Sequence, residues 1–141
     1  MAEDVDIIGA VLALLKADAP VAAVVGARVF GSELPKDEAA SMPRPAIVVK
    51  PSGGLSNAQG SDVQHDTQRF DLVAYGATPN GADALRTKCR RALTDCKRRV
   101  IEGALIHWIG VAGGFSAGRD RHAGWPYAFQ SFQIYFALKE V

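Results

Sequence analysis

Apolar residues between Asn80 and Lys97 fall at Ala82, Leu85, Cys89, Ala92, Leu93 and Cys96, almost all three or four apart. This spacing predicts a helix over 80–97 with one buried stripe. Asp83, Arg86, Lys88, Arg90, Lys97 and Arg98 are placed off that stripe, where charged heads reach water. Thr78-Pro79-Asn80-Gly81 is turn chemistry, with Asn80 as the expected N-cap. A second stripe, Ile8, Val11, Leu12 and Leu15, predicts a helix over 4–17, with Asp4 and Asp6 at the end where the helix dipole favours acids. Asp18-Ala19-Pro20 breaks that helix and starts a short helical turn reaching Val25, with Gly26 as its stop.

Elsewhere the period changes to two. In Arg69–Tyr75, Phe70, Leu72 and Ala74 alternate with Arg69, Asp71, Val73 and Tyr75. Ala46–Lys50 is a β-branched strand, and Arg28–Phe30 a short one. Val100–Ile109 is read as one strand with two largely apolar faces, hence interior to a sheet. The longest strand is Tyr127–Lys139. Its Phe132, Ile134, Phe136 and Leu138 point to the core, and Tyr127, Phe129 and Tyr135 point the other way. Between these elements lie a loop at 31–44 whose DEAA piece forms a helical turn, and two longer loops at 51–66 and 110–126, the latter with five glycines. The pattern predicts one α+β domain over 1–141: a mainly antiparallel β-sheet packed against a central amphipathic helix (80–97) and an N-terminal helix (4–17).

Composition narrows the function classes. A net charge of +1, 48% hydrophobic and 22% charged residues describe an ordinary globular chain, with no overall demand for nucleic acid or an anionic membrane. No segment approaches the ~20 apolar residues of a membrane span. Glu3, Asp4 and Asp6 stand where a secretory leader carries cations, so the chain reads as cytosolic. Cys89 and Cys96, seven residues apart on the expected helix, would be ~10 Å apart, beyond the reach of a disulfide. They read as buried thiols, and the spacing of the Cys and His residues forms no metal-ligand pattern.

Two constellations carry candidate chemistry. Gly114-Phe115-Ser116-Ala117-Gly118 matches GxSxG, with Asp120 and His122 after it. A nucleophile elbow needs a helix after the serine, and GRDRHAGWP cannot begin one, so a small serine hydrolase is the weakest reading and no catalytic residue is assigned. Between Arg86 and Arg99 there are seven Lys/Arg against Asp95 alone. Arg86, Arg90 and Arg98 are the candidate contacts of an electrostatic surface for DNA or an acidic partner. No aromatic is interleaved with them, which argues against a single-strand stacking platform.

The order of elements carries a resemblance: ALLKADAPVAAVVGARVF in a leading helix, the strand PRPAIVVKPS, RFDLVAYGATPNGADALR running from strand into helix, and the closing aromatic strand FQSFQIYFAL. From Asp6 to Leu138 the chain resembles the tail completion or tail terminator proteins of long-tailed bacteriophages, prophages and gene transfer agents. The resemblance implies a non-enzymatic virion structural protein without cofactor. It would form a homo-oligomeric ring, a hexamer, that caps the tail tube, stops its polymerisation and gives the head–tail connector protein a docking surface. Double-stranded DNA would pass through the opening in transient, non-specific contact, and no membrane would be involved. Its place would be the head–tail junction of the virion, and the host cytoplasm during assembly. A head-closure, adaptor or tail tube protein of the same particle is the alternative. For a ring, the outward aromatics Trp125, Tyr127, Phe129 and Tyr135 are the expected subunit contact, and the 51–66 loop is long enough to reach a neighbour.

Overall fold

The computed structural model describes residues 5–53 and 65–137. Asp4, Leu138 and most of the 51–66 loop therefore lie outside the described residues. The first helix, α1, spans Ile7–Ala17, and its N-cap is Asp6, whose carboxylate accepts from the Gly9 amide at 3.0 Å. Asp18 separates it from α2, Ala19–Val25, and caps that helix by accepting from the Val21 amide. Gly26, at φ +58°, ends α2 in a conformation that a side chain disfavours. The short strand β1, Val29–Gly31, is followed by the turn-length helix α3, Lys36–Ala39. Then come β2, Ala46–Gly53, and β3, His65–Tyr75.

The central helix α4 covers Pro79–Thr94. Its cap is Thr78, not Asn80: the Thr78 hydroxyl accepts from the Gly81 amide, and Pro79 takes the first position, where a missing N–H is harmless. The helix also ends earlier than the stripe suggested, because Lys97 opens the strand β4, Lys97–Ile101. Cys96 thus lies just beyond the helix, and both cysteines are free and buried. The strand expected over Val100–Ile109 is two strands. Glu102 and Gly103, with φ of 51° and 80°, make a tight hairpin turn of the kind that needs two positive φ values. Beyond it β5 runs over Ala104–Arg119. The loop expected at 110–126 is therefore mostly strand, leaving a turn at 120–125 before β6, Pro126–Ala137.

The six strands form one sheet in the order β1-β2-β3-β6-β5-β4, antiparallel except for the β1–β2 pair. Helix α1 packs against β1, β2 and β4, which lie toward opposite ends of that order, so the sheet curls around the helices. Helix α4 packs on β3, β5 and β6. One core results. Leu85, Cys89, Leu93 and Cys96 join Phe132, Ile134 and Phe136 as expected, together with Val11, Leu15 and Val21 from the first two helices. Directly paired residues share a sheet face, and Phe70 opposite Phe132 shows it: their rings stack at 5.5 Å on the helix side. Arg91 ties the helices together by donating to Asp18 at 2.9 Å. Gly76, between β3 and α4, is fixed by packing, since a Cβ there would meet the Ala82 amide nitrogen at 2.6 Å.

Candidate functional site

All helix contacts in the core reach one face of the sheet, and the pairing register lays out what stands on the other. Phe30 pairs with Val48, Val48 with Val73, Val73 with Phe129 and Phe129 with Ser116, so one row crosses five strands. The neighbouring row places Tyr75 opposite Tyr127, and Trp125 meets the Tyr75 ring edge-on at 5.9 Å. Trp125, Tyr75, Tyr127 and Phe129 are all half-buried. Tyr75, Tyr127 and Phe129 border an open cleft of about 580 Å³ whose rim carries Arg119, Asp120, Arg121 and His122. Burial, with the Asp120 charge second, raises the Tyr75 phenol above its ordinary range, so it stays neutral.

Further along the same face Asp71 accepts from the Ser131 hydroxyl at 2.6 Å, and Arg69 donates to the Ala112 carbonyl at 3.3 Å. At the far end His65 and His107 meet, Nδ1 to Nε2, at 2.9 Å, beside Tyr135 and Trp108. Burial and then the neighbouring His65 hold His107 below the usual imidazole range.

The GxSxG match lies within a strand and not at a strand-to-helix elbow. Ser116 sits inside β5 opposite Phe129, with a turn after it and no helix. The Asp120 carboxylate accepts from the amides of His122 and Ala123 at 2.7 and 2.9 Å, which caps the turn and lowers its pKa. Burial pushes the Cys89 thiol up to about 12, so it is no thiolate nucleophile at neutral pH.

Residues 9–136 match the family described as tail completion protein gp17. The chain belongs to that family. It is therefore a structural protein of tail completion in a phage-type virion. Among solved structures, it is similar to a chain titled as part of the virion of a native gene transfer agent particle. That chain is 19% identical with a TM-score of 0.67, and the match covers 93% of this chain and 94% of the other. It is also similar to the gp17 protein of bacteriophage SPP1, at 19% identity and a TM-score of 0.46, over 89% of this chain and 85% of that one. No curated protein matches the chain in sequence.

Within this tail completion protein the expected site residues divide. Trp125, Tyr127 and Phe129 share the cleft end of the helix-free face, but Tyr135 stands at the opposite end with the histidine pair. Arg90 and Arg98 are exposed, whereas Arg86 is not the surface cation expected. Its side chain is buried between α4 and the sheet, donating to Asp83 at 2.9 Å and to Gln130 at 2.7 Å, with the guanidinium 4.2 Å above the Phe115 ring. The sequence reading missed Tyr75 as part of the aromatic patch and the pairing of His65 with His107. Tyr75 was legible, since Val73 and Tyr75 alternate with the core residues of β3. The histidine pair was not, because β6 lies between their strands.

Proposed function

We propose that this tail completion protein acts without catalysis, as the subunit of a ring, hexameric by the family resemblance, that caps the tail tube and presents a docking surface to the head–tail connector. The observation that carries this reading is the aromatic sheet face, free of helices among the described residues, in a fold whose other face packs its core against its own helices. A closed ring repeats one heterologous contact, so each subunit needs two different patches. Trp125, Tyr127 and Phe129 supply one, because aromatic rings bury a large area with few rotors to freeze.

The other is the outer edge of β5. Strand β4 pairs with β5 only as far as Trp108, so among the described residues Ile109–Arg119 pairs with β6 alone. Before Arg119 that edge carries neither charge nor proline, the devices that usually keep edges from pairing. Arg90 and Arg98 are the exposed cations available to the connector wall or to passing DNA, a contact that salt would weaken.

Phe129→Asp tests the reading. The variant is expected to keep its circular dichroism spectrum and cooperative melting, yet fail to load onto tails, leaving overlong or unjoined tubes in electron micrographs. Normal assembly by the variant would remove this face from the subunit contact, and so would outright unfolding.

A further inference from the structure

We infer that His65 and His107 form an open two-imidazole seat for a divalent transition-metal ion that takes ligands at right angles, of the Ni2+ or Cu2+ class. Two distances agree on this. Two imidazole nitrogens bound at ~2.05 Å to one metal lie ~2.9 Å apart at a right angle and ~3.3 Å apart at a tetrahedral one. His65 Nδ1 and His107 Nε2 are 2.9 Å apart. The ring centroids are 4.7 Å apart. Collinear N–H···N contact would hold such rings ~5.2 Å apart, against ~4.5 Å for two imidazoles at right angles on one ion. The contact is thus bent away from collinear, with the two ring planes at 64°.

The scaffold holds this arrangement. His107 lies in the irregularity between Ile106 and Trp108 in the β5–β6 pairing, the kind of bulge that re-aims a side chain. His65 opens β3, opposite Ala137 of β6. Tyr135, on the strand between them, presents its ring to both imidazoles at 4.9 and 6.0 Å. On metal uptake the imidazole that donates within the pair moves its proton to its other ring nitrogen, leaving His65 protonated at Nε2 and His107 at Nδ1. Among the described residues no third His, Cys, Asp or Glu joins the pair. Such an ion would link β3 to β5 across β6, and by binding only the folded chain it would stabilise that chain.

The test uses the full chain without a histidine tag, titrated with NiCl2 at pH 7.5. Calorimetry is expected to show one ion per chain, the melting temperature to rise, and EDTA to reverse the rise; MgCl2 at the same concentration should do nothing. His65→Gln and His107→Gln are each expected to weaken Ni2+ binding by at least about tenfold, whereas His122→Gln leaves it unchanged. Should a pair variant fail to fold, the electron paramagnetic resonance spectrum of Cu2+ on the wild-type chain decides. Hyperfine splitting from two nitrogens is expected. Absence of Ni2+ binding, binding that survives loss of both histidines, or a Cu2+ spectrum of the aqueous ion would make the pair a hydrogen-bonded staple and overturn the assignment.

Discussion

Arg86 shows how a single residue can follow the helical period and still be misplaced by its charge. It lies four positions after Ala82 and three before Cys89, on the buried stripe by spacing alone, and the structure buries it. A guanidinium is tolerated there because Asp83 and Gln130 accept its hydrogen bonds and Phe115 offers a ring face. Arg86→Met, similar in reach but without donors, is expected to lower unfolding stability by about 1–3 kcal/mol, because the amide of buried Gln130 loses its partner. Arg90→Met, at an exposed site, should change it by less than about 0.5 kcal/mol. Equal effects in denaturant titrations would mean that the Arg86 contacts contribute nothing. The other cation worth naming, Arg98, is exposed at φ 52° on the edge strand β4, a placement that no periodicity in the sequence encodes.

At the scale of elements, the helices and the core strands were legible and the glycine-rich strand was not. Leu85, Cys89 and Leu93 announce α4 by their spacing, and Phe70, Leu72 and Ala74 announce β3 by theirs. Truncating Leu93, fully buried in the common core, to Ala is expected to cost about 2–5 kcal/mol in denaturant melts. A loss below about 1 kcal/mol would contradict the packing of α4 on the sheet. The C-terminal half of β5 gave the opposite impression, because Gly110, Gly113, Gly114 and Gly118 are ordinary loop residues. What makes this stretch a strand is its long partner, β6, and the register break between Val111 and Phe115 absorbs two extra residues. Tertiary pairing overrides local propensity here, and that is information a single sequence does not display. The hairpin at Glu102-Gly103 was not announced either, since glutamate is not among the residues that favour the first position of such a turn.

For the whole molecule, the apolar pattern led to a sheet with helices on one face, and the family resemblance led to tail completion. The split of the outward aromatics into two ends of the bare face depended on register, which only the fold supplies. Among the described residues that face carries no helix, and it has an aromatic cleft at one end and a strand edge paired on one side only beside it, the two patches on which the proposed ring rests. The ring proposed above would stop tube growth and join tail to head. Electron microscopy of particles assembled without this chain tests it most directly, with tail length and head attachment scored against particles to which the wild-type chain is restored. Overlong tubes lacking heads, corrected on restoration, are expected. Tails of normal length joined to heads in the absence of the chain would contradict it.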